Sequence, residues 1–161
     1  MRPCFVRTLP PFEHVVDEHG PAVLRYCAAQ VGPDRAEDCF QETMLSALRA
    51  YDQVRDPGAI RSWLYSIASR KAIDAHRARA RGPEPMAEVE PLPSTDEIEP
   101  SDGSIWQHVR SLPPKQRQAV SLRYVADLSH REIAVVMQTS EAAARRNVYE
   151  ALVHLRAHVE S

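Results

Sequence analysis

Residues 129–155 read SHREIAVVMQTSEAAARRNVYEALVHL, and this stretch decides the fold class. Ser129 followed three residues later by Glu132 is a capping box, in which each side chain satisfies the other's backbone N–H at a helix start. Ile133, Ala134 and Met137 supply apolar positions at helical spacing. Gln138-Thr139 interrupts, and Ser140 is an N-cap with Glu141 favouring the helix dipole in the next first turn. Ala144, Val148, Ala151, Leu152 and Leu155 form the buried stripe of that helix. A short capped helix, a tight turn and a longer basic helix follow the grammar of a helix-turn-helix. Gln138 stands at the turn, where glycine would best tolerate a left-handed backbone.

At 100° per residue, Ala142, Arg146, Tyr149 and Val153 lie opposite the buried stripe, with Arg145 on the flank. A small residue near the start lets a helix approach a groove, while arginines reach base edges or phosphates. Ser140, Ala142, Arg145, Arg146 and Tyr149 are therefore the candidate duplex-DNA contacts. A solvated basic face on an ordinary helix is the competing reading. The capping box and turn upstream favour DNA.

Working upstream, Ile105, Trp106, Val109 and Leu112 are followed by Pro113-Pro114 and a helix from about Lys115 to Ala126. Before them, residues 83–103 carry seven acidic residues, no basic ones and five prolines. Such a segment cannot sustain a helix or bury enough apolar surface, so it reads as a linker. The overall charge of −2 hides this unevenness: residues 1–82 are net +2 and residues 104–161 net +3.

Residues 1–82 read as a second helical module. Phe12, Val15, Val16 and His19 keep helical spacing up to Gly20-Pro21, where one helix is expected to end and another to begin, running to Gly32-Pro33. Ala36, Phe40, Met44, Ala47, Leu48 and Tyr51 make one apolar stripe. Its opposite face carries Asp38, Gln41, Glu42, Leu45 and Arg49: either a solvated face or, around Leu45, a protein-docking anchor. Ile60–Arg81 is a long helix with Ile60, Trp63, Leu64, Ile67, Ala68 and Ala75 inward. Its expected outward face is Ser62, Tyr65, Ser66, Ser69, Ile73 and His76, flanked by Arg61, Arg70 and Arg77. Basic residues interleaved with an aromatic suit a single DNA strand. Packing of Tyr65 and Ile73 on neighbouring helices competes with that reading and is the better one for Ile73; Lys71 falls inward and snorkels.

Other classes fare poorly. Five glycines and 6% aromatics do not furnish an all-β sandwich or barrel. No apolar run approaches the roughly 20 residues of a membrane span, and no secretory h-region is visible. Three cysteines without C-x-x-C spacing fit neither a disulfide framework nor a zinc knuckle, so the expected setting is a reducing cytoplasm. There is no G-x-x-x-x-G-K, G-x-S-x-G or H-E-x-x-H motif. His154 and His158 sit at i, i+4, but no further ligand at sensible spacing completes a metal set. No cofactor and no catalytic residue are expected.

Three blocks together carry a family resemblance: AEDCFQETMLSALRAY (36–51), RSWLYSIASRKAIDAHRARAR (61–81) and SLPPKQRQAVSLRYVADLSHREIAVVMQTSEAAARRNVYEAL (111–152). In this order and separation they resemble the two-domain extracytoplasmic-function (ECF) group of bacterial RNA polymerase sigma factors. The resemblance implies an all-α fold: a region 2 helical bundle over 1–82, a flexible acidic linker over 83–103, and a region 4 helix-turn-helix over 104–161. It implies that the D-x-x-Q-E-T block, with Leu45 and Arg49 on the same face, docks on the clamp helices of core RNA polymerase. The Trp63–Asp74 block and the loop from Gln53 to Gly58 would open the −10 element, capture a flipped base and hold the separated strand. Arg55, Arg61, Tyr65, Ser69, Arg70, Lys71, Arg77 and Arg79 are the residues so implicated. Region 4 would read the −35 duplex and meet the polymerase flap.

Two departures from the family pattern stand out. Ser69-Arg70 replaces a frequent Arg-Asn, and Ala142-Ala143-Ala144-Arg145-Arg146-Asn147 replaces a frequent G-T-V-K-S-R. The resulting reading is a promoter-specificity subunit whose partners are core polymerase, promoter DNA and, as the family admits, an anti-sigma factor, without membrane insertion. A stand-alone helix-turn-helix regulator would account for residues 111–158 and leave 36–81 unexplained; a helical protein adaptor would need no DNA affinity at all.

Overall fold

A computed structural model describes residues 8–81 and 103–159, and every regular element among them is helical. Helix α1 (Phe12–Val31) runs through Gly20-Pro21, where a break was expected. A residue before proline normally clashes with the proline ring through its own Cβ. Gly20 has none, and the Phe40 ring packs beside it. Gly32, at φ +90°, does end α1. Pro33 then opens α2 (Pro33–Ala50), in a first turn whose N–H groups have no helical partner anyway.

The buried side of α2 is Ala36, Cys39, Thr43 and Ala47, with Phe40 and Met44 partly covered. The Thr43 hydroxyl donates to the Cys39 carbonyl at 2.7 Å, so its burial leaves no unpaired polar group. Because the buried arc centres on Cys39 and Thr43, Leu48 falls beyond its edge. It was expected in the stripe and is 54% exposed instead.

Two 3₁₀ turns (Tyr51–Gln53 and Pro57–Ala59) lead into α3 (Ile60–Arg81). Asp56 accepts the Gly58 N–H at 2.9 Å and fixes the second turn. Tyr51 donates its phenol to the Pro10 carbonyl and meets Phe12 edge-on at 5.3 Å between ring centroids, tying the loop to the start of α1. α3 is enclosed on two sides, by α1 and α2, with Leu64 and Ala68 wholly buried.

The second half comprises α4 (Gly103–Ser111), α5 (Pro114–Tyr124), α6 (His130–Met137) and α7 (Glu141–Val159). Val109, Leu112, Val120, Ala151 and Leu155 form one apolar cluster with Trp106 and Leu152. Ala119, Leu122, Leu128, Ile133, Ala144 and Val148 belong to a larger cluster that also includes Val23, Tyr26 and Leu64 of the first half. Leu122 and Leu128 are wholly buried, each worth about 1.5–3 kcal/mol of transfer. The expected acidic linker lies outside the described residues, apart from Gly103, which opens α4.

The halves meet along two seams. Arg117 of α5 and Gln30 of α1 exchange hydrogen bonds at 3.4 Å, the Arg117 guanidinium donating to Oε1 and the Gln30 amide to the Arg117 carbonyl. His76 Nε2 lies 2.7 Å from the Gln30 carbonyl, which can only accept, so the ring nitrogen donates there. Burial, then the neighbouring Arg117, Arg35 and Arg79, hold the His76 pKa below its ordinary value, against the hydrogen bond to the Gln30 carbonyl. At the other seam α6 packs on α3.

Candidate nucleic-acid interface

The helix-turn-helix forms as its residues dictate. Ser129 Oγ accepts the Glu132 N–H, and Glu132 Oε1 accepts the Ser129 N–H, both at 3.1 Å. Gln138 adopts the left-handed conformation, φ 53° and ψ 49°. Ser140 Oγ caps the next helix by accepting the Ala143 N–H at 3.1 Å. On α7 the buried line is Ala144, Val148, Ala151 and Leu155, which turns the opposite side to solvent.

All five candidate duplex contacts emerge together on that side. Ala142, Arg145, Arg146 and Tyr149, with Glu141, line one shallow open surface, and Ser140 is exposed at its head. The two arginines differ. Arg145 is tethered by an ion pair to Glu141 at 3.1 Å. Arg146 has no hydrogen-bond or ion-pair partner among the described residues, so its fork is free for a ligand. Asn147 is occupied, donating to the Ala143 carbonyl at 3.1 Å.

Two further basic side chains, His130 and Arg123, interact electrostatically with one another, and His130 with Arg145 of this surface. Burial first, and then Arg123 and Arg145, keep the His130 pKa below its ordinary value, with Glu141 opposing them. Arg123 also donates to the Leu128 carbonyl at 2.9 Å and so holds the loop before α6. No spacing rule links these residues, because α5, α6 and α7 bring them together only by packing.

α3 departs from expectation. Tyr65 and Ser69, expected outward, are 1% and 4% exposed. Their neighbour is α1: the Tyr65 ring meets Tyr26 edge-on at 5.4 Å, and Ser69 Oγ shares a 2.7 Å hydrogen bond with the Tyr26 hydroxyl. Burial pushes the Tyr65 phenol up to about 12. Neither side chain reaches solvent, so the outward-face assignment is corrected for both. Ile73, for which packing on neighbours was expected, is 42% exposed. The open arc of α3 is Arg70, Ile73, Asp74 and Arg77, continuing to Arg79 near the helix end. Arg55 is exposed on the loop, Lys71 is half-buried as its angle implied, and Arg61 is engaged by Glu132 at 3.4 Å.

On α2, Asp38, Gln41, Glu42, Leu45 and Arg49 share one exposed face. Leu45 is 53% exposed, and Leu48, one turn on, adds an apolar side chain that sequence reasoning had placed inside. Cys27 and Cys39 are free thiols in the core. Among the described residues no group of three or more His, Cys, Asp or Glu is placed to hold a metal ion, and no helix is long and apolar enough to cross a membrane. His154 Nδ1 instead bonds Gln116 Oε1 at 2.8 Å, and His158 stacks on His108 at 4.6 Å.

Comparison with known proteins matches residues 15–82 to sigma-70 region 2 and residues 103–155 to sigma-70 region 4. The ECF RNA polymerase sigma factor SigD of Mycobacterium tuberculosis is 33% identical, the match covering 88% of this chain and 74% of that protein. The ECF sigma factor BldN of Streptomyces coelicolor is also 33% identical, over 88% of this chain and 57% of its own length. Among solved structures, the sigma factor RpoE of Bartonella quintana, in complex with the anti-sigma factor NepR, superposes with a TM-score of 0.77 at 19% identity, covering 92% of this chain and 96% of that one. CnrH, in complex with the cytosolic domain of CnrY, superposes with a TM-score of 0.69 at 21% identity, covering 92% and 87%.

Proposed function

The chain belongs to the ECF RNA polymerase sigma factors, which are transcription initiation factors, and from that premise we propose how its surfaces divide the work. The exposed face of α7 enters the major groove of −35 duplex, with Arg146 on base edges and Arg145 on phosphate. The Leu45–Leu48 face of α2, flanked by Asp38, Gln41, Glu42 and Arg49, docks on core polymerase. Arg55, Arg61, Arg70, Lys71, Arg77 and Arg79 neutralise the separated −10 strand; Tyr65 and Ser69 serve this role only indirectly, by holding α3 on α1. Unpairing is offset by contacts to extruded bases and backbone. The chain itself performs no bond chemistry, which belongs to the core enzyme, and it works in the cytoplasm as two modules, 1–82 and 104–161, joined by the acidic segment. An anti-sigma factor is a further partner, by analogy with RpoE and NepR.

The observation that carries this reading is one polypeptide presenting both a free-armed recognition helix and, on α2, an exposed apolar pair among charges. A stand-alone regulator would need only the former. Run-off transcription with purified core polymerase tests the reading: promoter-specific transcripts should require both proteins. Leu45→Ala combined with Asp38→Ala should weaken competition for core polymerase by about tenfold or more while the far-UV spectrum stays helical. Unchanged competition would reduce that face to solvated surface.

A further inference from the structure

Cys27 and Cys39 are two nucleophiles for which DNA and polymerase binding have no use. They stand five residues before Gly32 and seven after it, on the two arms of the α1–α2 hairpin. The buried side of α2 is made of small residues, Ala36, Cys39, Thr43 and Ala47, so the two backbones can pack closely. There the two thiols hydrogen-bond one another, and the Thr43 side chain meets both. A disulfide needs Cβ atoms that are close and point together, which thiols in such contact already satisfy. The sulfurs are not equivalent. Cys39 keeps 4% of its surface exposed and Cys27 none. The hydrogen bond with Cys27 draws the Cys39 thiol below its ordinary pKa, Thr43 and Lys71 adding to it against burial and Glu42. The same bond, with burial, holds the Cys27 thiol up. Cys39 is therefore the sulfur that a small oxidant meets first, and Cys27 is the one placed to resolve the product.

We propose that Cys27 and Cys39 form a reversible dithiol–disulfide site that reacts with hydroperoxides and staples α1 to α2 when oxidised. In the first step the Cys39 sulfur attacks one peroxide oxygen and the O–O bond breaks. The departing oxygen takes up the proton that Cys39 loses, and Cys39 is left as a sulfenic acid. In the second step the Cys27 sulfur attacks the Cys39 sulfur and the S–O bond breaks. The hydroxyl leaves as water with the Cys27 proton. With hydrogen peroxide, two thiols and one peroxide thus give one disulfide and two waters, the sulfurs losing the two electrons that the peroxide gains. A small thiol in excess reverses the bond by exchange, and in reducing compartments disulfides are of this transient kind. Closing a loop of about a dozen residues restricts the unfolded chain, so the oxidised protein is the more stable form.

The test treats the full, folded chain with hydrogen peroxide at neutral pH, alkylates the remaining thiols and digests with trypsin without reductant. Cleavage after Arg25, Arg35 and Arg49 puts the two cysteines on neighbouring peptides, 26–35 and 36–49. Mass spectrometry should find these two peptides joined as the main oxidised product, and dithiothreitol should separate them. Cys27→Ala should instead accumulate the Cys39 sulfenic acid, trapped by dimedone, while Cys39→Ala should leave Cys27 unreacted. The oxidised wild-type chain should melt about 5 °C or more above the reduced one. Cys39 joined to Cys4 in place of Cys27 would overturn the proposal. So would thiols that stay reduced in the folded chain and oxidise only in urea, which would make the pair core packing alone, or a lowered melting temperature on oxidation. No polymerase or DNA enters the assay, so its result bears on the thiol pair and not on the sigma-factor reading.

Discussion

α3 and α7 are the two long basic helices of the molecule, and their surroundings are opposite. α7 rests on its neighbours along one line of small and aliphatic residues, Ala144, Val148, Ala151 and Leu155, and leaves the rest of its circumference open over its first three turns. α3 is held from two sides and buries Tyr65 and Ser69 as well as Leu64 and Ala68. The number of packed sides decides what a basic helix can offer. α7 can present a continuous reading face to a groove. α3 can offer only its first turn, a narrow arc around Arg70 and Arg77, and its C-terminal end. Duplex reading and single-strand holding thus fall to helices whose packing suits each.

The sharpest way to break this comparison is to treat the two tyrosines alike. Tyr65→Ala empties a fully enclosed site against Tyr26 and should cost about 3–5 kcal/mol in denaturant unfolding. Tyr149→Ala, at a position 67% exposed, should stay within about 0.5 kcal/mol. Comparable losses in the two variants would mean that α7 is packed on a second side.

Two buried serines extend the contrast at a smaller scale. Ser69 shares its hydroxyl with Tyr26, whereas Ser121 of α5 finds no partner among the described residues although it is 1% exposed. Ser69→Ala strands the Tyr26 hydroxyl and should cost about 1–3 kcal/mol. Ser121→Ala removes an unpaired group and should be neutral or stabilising in the same unfolding experiment. A loss of stability in Ser121→Ala would reveal a partner for its hydroxyl.

Much of this contrast was legible in the residues and some was not. The capping box at Ser129, the left-handed Gln138, the cap at Ser140 and the face of α7 follow from local rules, and α7 obeys them because it has one buried side. For α3 the same angular arithmetic misplaced Tyr65 and Ser69, while for Ile73 it pointed outward correctly and the preference for packing on neighbours was the error. A single period of 100° cannot say how many neighbours a helix has, and Tyr26 lies 43 residues from Ser69. α1 runs on through Pro21 with a glycine before it, which removes the Cβ that a proline ring would crowd. The seams between the halves, Arg117 with Gln30 and Glu132 with Arg61, join residues about 70–90 apart, which no local pattern encodes.

The two arginines of α7 sharpen the account of its reading face. Arg146 is free-armed within the first two turns, where base edges come within reach, while Arg145 is tethered to Glu141. Arg146→Ala should relax preference at one or two −35 positions, by about 1–3 kcal/mol of discrimination, in transcription from single-base promoter variants. Arg145→Ala should weaken all variants alike and flatten the salt dependence. Reduced strength with unchanged base preference in Arg146→Ala would take that residue out of base reading.

The smallest effect separates the frame of the helix-turn-helix from its reading face. Gln138 occupies the left-handed region at φ 53°, where a side chain with a Cβ is strained by roughly 1–2 kcal/mol. Glycine removes that strain, but it also gives the unfolded chain more freedom to lose, so the gain is only partial. Gln138→Gly should therefore stabilise the protein by about 0.5–1 kcal/mol, raising the melting temperature by roughly 1–4 °C at this chain length. The Gln138 N–H already bonds the carbonyls of Ala134 and Val135, and glycine keeps that donor, so the angle between α6 and α7 should persist. Base preference at −35 should then be unchanged, because the reading residues stand on α7 alone. A stabilised variant with altered preference would show that the glutamine side chain itself touches DNA and would extend the reading face back into the turn.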